Sequence, residues 1–125
     1  MEAKLHALRV NNIRTIVNMT MKCTDKELKY LYGDSYVELR INDSFKGVPQ
    51  KTQHLLHEWA NKIHELRQES GVLIHCYGGR NRSCLMAGLV LVRGGMSGAE
   101  AFQVIESKEP KALYNPAFRD FLQRS

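Results

Sequence analysis

Long hydrophobic runs are missing from this sequence. The longest apolar segment, residues 85–92, has eight residues, whereas a helix that spans a membrane needs about 20. The first residues, MEAK, lack the apolar stretch of a secretory signal, and the last residues, LQRS, lack a prenylation motif. We therefore expect no membrane span. We expect a soluble protein located in the cytoplasm, with the nucleus as an alternative location.

Cysteine is also scarce. Cys23, Cys76 and Cys84 form an odd set without a C-x-x-C pair, which argues against a disulfide framework and against a structural zinc site. Cys84 falls in an apolar helical segment and is expected in the core. Cys23 has no motif around it and is expected to be structural as well. Only Cys76 lies in a motif that gives it chemistry.

The charge balance is only slightly basic. The 18 Lys and Arg residues against 13 Asp and Glu give a net charge of +5, which attracts anionic substrates. The excess is modest and scattered, so it does not by itself indicate nucleic-acid binding, although it leaves that partner open. His54, His57 and Glu58 share one predicted helix but lack a further converging ligand. We therefore expect neither a metal site nor a cofactor.

A chain of 125 residues suffices for a single domain with its own core, spanning residues 1–125. Apolar periodicity predicts strands at 13–19, 36–41 and 72–74, helices at 5–10, 49–68, 85–93, 97–107 and from 116, and a short helix or loop at 24–32. Strands separated by helices predict an α/β domain with a mainly parallel central sheet flanked by helices.

The most informative segment is residues 75–83, HCYGGRNRS, which we call the phosphate loop. It connects a predicted strand to a predicted helix, and five residues separate Cys76 from Arg82. Only the thiolate form of cysteine attacks phosphorus well, and it is favoured by backbone N–H groups at a helix start and by a nearby arginine. We therefore predict that Cys76 is the nucleophile and that Arg82 binds two phosphate oxygens.

The other residues of the phosphate loop fit the same chemistry. Gly78 and Gly79 allow a tight turn with amides facing an anion, and the hydroxyl of Ser83 can hydrogen-bond the sulfur and improve it as a leaving group. Rhodanese-type sulfur transfer uses a similar strand, cysteine loop and helix, but its loop is typically one residue shorter. The predicted phosphate-binding residues are Tyr77, Gly78, Gly79, Arg80, Asn81 and Arg82.

A phosphatase of this kind also needs a group that protonates the leaving oxygen and later deprotonates a water molecule. Asp43 follows the predicted strand at 36–41, at the end where the phosphate loop is expected. Asp25 and Asp34 precede that strand, and Asp120 lies in the last helix, so they are weaker candidates. His75 is expected to orient the loop by hydrogen bonding rather than to transfer protons.

The loop has the form H-C-x-x-G-x-x-R-S, which resembles the signature of the cysteine-dependent protein phosphatases. The segments IRTIVNM at 13–19 and GMSGAEA at 95–101, with Pro110, Asn115 and Phe118, resemble the dual-specificity branch of that family. The resemblance implies a protein-tyrosine-phosphatase-like fold, with Cys76 as nucleophile, Arg82 as phosphate ligand and Asp43 as general acid. It also implies hydrolysis of phosphotyrosine and phosphoserine/phosphothreonine in protein substrates through a cysteinyl-phosphate intermediate.

Two departures from that family pattern leave alternatives open. The usual opening β segment has no counterpart before the first helix, so we expect an exposed sheet edge, which favours a partner strand or a homodimer. Arg80 resembles the loop lysine of phosphoinositide phosphatases, and Asn81 resembles the G-x-N-R of RNA 5′-triphosphatases. The alternatives are thus a phosphoinositide phosphatase, an RNA 5′-phosphatase, or a non-catalytic module that binds phosphoproteins.

Overall fold

The computed structural model describes residues 2–21, 23–77 and 80–125. Three parallel strands, β1 (Ile13–Asn18), β2 (Tyr36–Glu38) and β3 (Gly71–His75), form a sheet in the order β2-β1-β3. The helices are α1 (Glu2–Val10), α2 (Lys26–Tyr32), α3 (Gln50–Leu66), α4 (Arg82–Arg93), α5 (Gly98–Lys108) and α6 (Pro116–Arg124). The predicted α/β fold with a parallel sheet between helices is confirmed.

Strand β1 lies in the centre of the sheet and is its most buried strand. Val17 pairs with Val37 of β2 on one side and with Ile74 of β3 on the other. Because side chains alternate along a strand, Val17 faces the larger core, with α3, α4 and α6, whereas Ile16 faces a smaller cluster that includes Leu8 of α1. All three strands end at the same edge, where the phosphate loop begins.

Strand β2 is shorter than predicted, since it ends at Glu38 instead of Ile41. The reason is that β1 ends at Asn18, the partner of Glu38, so no neighbouring strand continues beside the next residues. The chain makes a final contact there, where the Leu39 N–H donates to the Asn18 carbonyl at 2.8 Å. Ile41 is nevertheless buried, which agrees with the predicted apolar face.

Two details differ from the predictions. Helix α3, predicted to reach residue 68, ends at Leu66, whose side chain is 39% exposed because the buried side of the helix ends at Ile63. The side chain of Cys23 is exposed, and the residue contributes its backbone carbonyl, which accepts from Asn18 Nδ2 at 2.7 Å and from Thr20 Oγ1 at 2.8 Å.

Two of the predicted helices begin at capping residues. Ser97 and Glu100 form a capping box at the start of α5, and Asn115 caps α6 by accepting from the N–H groups of Ala117 and Phe118. Strand β3 occupies one edge of the described sheet, and the homodimer through such an edge stays a prediction. In the described part of the chain, no helix is long and apolar enough to cross a membrane.

Candidate active site

Cys76 lies where β3 meets the start of α4. The strand ends at His75, whose carbonyl accepts from the Met19 N–H at 2.8 Å, and Cys76 follows directly. Its sulfur is 3.3 Å from the backbone nitrogen of Ser83, which donates to it, and 3.2 Å from the Ser83 hydroxyl oxygen. Amide groups at a helix N-terminus favour a negative charge. The predicted pairing of Cys76 with Ser83 is therefore present.

Arg82 is the first residue of α4 and directly precedes Ser83, and its side chain is half-buried. Its Nη1 donates to the Ile41 carbonyl at 3.3 Å, which ties the helix start to the chain that follows β2. Its Nε atom is buried and has no acceptor among the described residues. Because an unsatisfied buried donor is costly, particularly on a charged group, this N–H suits an oxyanion.

Asp43 is held by two amide side chains. Its Oδ2 accepts from Asn81 Nδ2 at 2.8 Å, and its Oδ1 accepts from Asn115 Nδ2 at 2.6 Å. Asn81 belongs to the phosphate loop and Asn115 caps α6, so these contacts attach the segment after β2 to both elements. The structure thus brings the predicted acid to the loop that holds the predicted nucleophile.

Comparison with known proteins identifies the family. The family model described as "Dual specificity phosphatase, catalytic domain" matches residues 1–124. The chain belongs to the dual specificity phosphatase family. Among curated protein sequences, none matches this chain.

Solved structures agree in fold. Human DUSP28 is 22% identical with a TM-score of 0.77, covering 95% of this chain and 78% of its own. DUSP15 is 25% identical with a TM-score of 0.72, covering 98% and 75%. The human tyrosine phosphatase-like serine/threonine/tyrosine-interacting protein is 20% identical with a TM-score of 0.67, covering 98% and 82%. The predicted family and its fold are confirmed, and the family supports a phosphatase.

In this dual specificity phosphatase domain, the other aspartates lie elsewhere. Asp25 caps α2 and pairs with Lys4 at 2.9 Å, and Asp120 pairs with Arg124 in α6 at 2.9 Å. Asp34 lies in a short 3-10 turn before β2, at the opposite end of that strand from Asp43. The contacts favour Asp43, and its role as general acid stays a prediction.

The predicted phosphate-binding residues are not equally placed. Asn81 is only 3% exposed, and both ends of its side chain are engaged, since its Oδ1 also accepts from the Asn115 N–H at 3.1 Å. Its side chain thus contacts protein, and binding of phosphate by its backbone stays a prediction. Tyr77 and Arg80 are exposed, while Gly78 and Gly79 lie outside the described residues.

Two residues near the site were not predicted from the sequence to contact it. In the sequence, Asn115 was noted only as part of the family resemblance, yet its Nδ2 donates to Asp43 and, at 3.0 Å, to the Ser44 carbonyl. Leu113 adopts a left-handed backbone with φ of 56°, an unfavourable conformation for its side chain, and its N–H donates to the Arg80 carbonyl at 2.6 Å. Neither contact has a local sequence signal, because each joins residues far apart in the chain.

Burial shifts the pKa values of two ionisable groups near the site, His75 and Cys84. Burial lowers the pKa of His75, and repulsion from Lys4 adds to the effect while Asp25 opposes it. The predicted role of His75 in orienting the loop stays a prediction. Burial raises the pKa of Cys84 to about 11, and this residue packs against the core, as predicted.

The histidines of α3 have other surroundings. His57 Nδ1 lies 3.1 Å from Arg93 Nη2, and burial, followed by repulsion from Arg93 and His54, lowers the pKa of His57. Over the described residues, no group of three or more His, Cys, Asp or Glu side chains is arranged to hold a metal ion.

Proposed function

We propose that this protein hydrolyses phosphotyrosine and phosphoserine/phosphothreonine in proteins through a cysteinyl-phosphate intermediate. One observation carries the proposal: Cys76 contacts Ser83 at the start of α4, while Asp43 is hydrogen-bonded to the same loop through Asn81. The proposed nucleophile, phosphate ligand and acid thus lie on segments that follow the carboxyl ends of the strands, where open α/β folds bind their ligands, and this supports the proposal.

In the first step, the thiolate of Cys76 attacks phosphorus and forms the S–P bond. The bond from phosphorus to the leaving oxygen breaks, and Asp43 gives its proton to that oxygen. Arg82 binds the phosphoryl oxygens, its buried Nε supplying one donor, and follows their charge into the transition state. The protein product then leaves as a neutral alcohol or phenol.

In the second step, water attacks the phosphorus of the cysteinyl-phosphate. The carboxylate of Asp43 accepts a proton from that water, the S–P bond breaks and inorganic phosphate is released. The sulfur leaves with the electron pair as a thiolate. Ser83 supports this step, because its N–H donates to the sulfur and its hydroxyl lies 3.2 Å away. The enzyme is then restored.

The test is phosphate release from phosphotyrosine and phosphothreonine peptides, with a phosphoinositide and a triphosphate-ended RNA as competing substrates. We expect both peptides to be hydrolysed and Cys76→Ser to abolish the activity. Cys23→Ser is the matched control, and it should retain activity because the side chain of Cys23 is exposed and lies outside the phosphate loop. Hydrolysis that survives Cys76→Ser would contradict the mechanism. Faster turnover of the lipid or the RNA would move the substrate to one of those classes.

A further inference from the structure

Asn81 and Asn115, together called the acid-loop latch, hold both oxygens of Asp43. Asn81 Nδ2 donates to one oxygen and Asn115 Nδ2 to the other, at 2.8 and 2.6 Å. The two asparagines also contact each other, because the Asn115 N–H donates to Asn81 Oδ1 at 3.1 Å. Their exposed fractions are 3% and 0%. The latch is therefore a buried and mutually connected hydrogen-bond network.

The segment that carries Asp43 has no regular secondary structure, although Leu39 and Ile41 anchor its beginning in the core. Residues 39–49 form neither helix nor strand, so side-chain hydrogen bonds have to take the place of a regular ladder. Arg82 holds the Ile41 carbonyl, and Asn115 holds the Ser44 carbonyl as well as Asp43. These contacts come from the start of α4 and the start of α6. The carboxylate and its segment are thus held on one side by the phosphate loop and on the other by the residue that caps α6.

The geometry leaves Asp43 free to move protons. Each carboxylate oxygen has two lone-pair directions, and the latch uses one on each oxygen. The other direction remains for a catalytic proton. An amide nitrogen is a donor only and cannot take that proton, so the latch fixes the carboxyl group without competing for it. Such fixation matters because a misplacement of about 1 Å can lower a catalysed rate about 100-fold.

We propose that Asn81 and Asn115 are positioning residues that hold Asp43 for proton transfer to the leaving group. This inference rests on the proposed function and deepens it. It assigns the unusual Asn81 to the acid rather than to substrate recognition. The expected signature is a loss of acid catalysis with the phosphate site still formed, so only substrates that need a proton on the leaving oxygen should suffer strongly.

The main test variant is Asn81→Asp. It keeps an oxygen that can accept from the Asn115 N–H and replaces the Nδ2 donor to Asp43 by a second oxygen. Asn115→Asp is the matched second variant, since its carboxylate can still cap α6 by accepting from the N–H groups of Ala117 and Phe118. Asn81→Ala tests the same contact without adding charge. Circular dichroism and thermal unfolding identify variants that remain folded.

The readout is kcat/KM for phenyl phosphate, whose leaving group is poor, and for p-nitrophenyl phosphate, whose leaving group is good. We expect each folded latch variant to lose about 10- to 100-fold more activity on the phenyl ester than on the nitrophenyl ester. The same substitutions in an Asp43→Ala background should show no such difference. That background also controls for the negative charge that Asn81→Asp and Asn115→Asp add, since this charge should lower the rates on both esters alike.

Equal losses of activity on both esters would contradict the proposed role of the latch. A selective loss on the phenyl ester that persists in the Asp43→Ala background would contradict it as well. Either result leaves the proposed function intact, provided that the wild-type protein hydrolyses the nitrophenyl ester and Cys76→Ser does not. Failure of that wild-type measurement would instead overturn the proposed function, and the latch with it. The two failures are therefore distinguished within one experiment.

Discussion

At the scale of single residues, the shape of a donor matters as much as its charge. Arg82 donates from Nη1 to the Ile41 carbonyl, and its buried Nε has no acceptor among the described residues. A lysine would keep the charge but could not present several N–H groups in one plane. We expect Arg82→Lys to lower kcat/KM on aryl phosphates about 100-fold or more, measured by phosphate release.

The control for that substitution is Arg93→Lys, at the other end of α4 and exposed to solvent. It removes the same guanidinium chemistry from the same helix, away from the phosphate loop. We expect its activity to stay within about twofold of the wild type, since the exposed contact of Arg93 with His57 contributes little. Similar losses in the two variants would show that Arg82 acts only through the stability of α4.

The cysteines should differ in reactivity. Because burial raises the pKa of Cys84 to about 11, this residue stays a thiol at pH 7.5 and is a poor nucleophile. We expect iodoacetamide to modify Cys76 and the exposed Cys23 while sparing Cys84, as measured by mass spectrometry of peptides. Denatured protein is the control, and there Cys84 should react like the others. Rapid labelling of Cys84 in the folded protein would contradict its buried environment.

At the scale of elements, α5 and α6 approach closely at Gly98. A methyl group added there would lie 2.1 Å from the Leu122 carbonyl, which is backbone and cannot turn away. We expect Gly98→Ala to lower the free energy of unfolding by about 1–3 kcal/mol, measured by urea denaturation, because the two helices have to separate.

Gly88 in α4 provides the matched comparison. A methyl group there would meet the side chain of the same residue, Leu122, at 2.6 Å, and a side chain can rotate. Alanine is also favoured over glycine in a helix by about 1 kcal/mol. We expect Gly88→Ala to cost clearly less than Gly98→Ala. An equal or larger cost would indicate that Leu122 has no alternative rotamer in this core.

At the scale of the whole molecule, two histidines make stability depend on pH. Burial lowers the pKa of His75 and of His57 from the usual 6.5, with repulsion from Lys4 and from Arg93 respectively contributing. Below pH 6.5 the unfolded chain therefore binds protons that the folded chain excludes. Stability should be complete above pH 6.5 and should fall as the pH drops below it.

The measurement is urea unfolding at pH 7.5 and pH 5.5. We expect the double substitution His57→Gln with His75→Gln to reduce the difference in unfolding free energy between these two conditions. His6→Gln, at an exposed position of α1, is the control and should leave the difference unchanged. An unaltered difference in the double variant would assign the pH dependence to other groups.

Much of this architecture was predictable from local patterns. Apolar periodicity located β1, β3 and α3, because core contacts of a strand or helix recur at fixed intervals. The starts of α5 and α6 also lie within one residue of their predicted positions, 97 and 116. The end of β2 was missed, since it depends on where the neighbouring strand stops.

The candidate site likewise contains contacts that the sequence predicts and contacts that it does not. The pairing of Cys76 with Ser83 follows from a loop of known spacing, and the sequence indicated it. The contacts of Asp43 with Asn81 and Asn115 do not follow, because they depend on how separate elements pack. A side chain that the sequence places in the phosphate loop can thus contact a residue of another segment, as the hydrogen bond from Asn81 to Asp43 illustrates.

The hydrogen bond between Asp43 and Asn115 spans 72 positions of the chain, and this distance has a consequence for folding. Contacts of long sequence separation form late, after the entropy of closing the intervening loop has been overcome. During synthesis, the Asp43 carboxylate therefore gains its second hydrogen-bond donor only once Asn115 and α6 have emerged and docked. A chain folded up to α5 would contain Cys76 and Arg82 but hold Asp43 incompletely, so the proposed catalytic site would be complete only after α6 is in place.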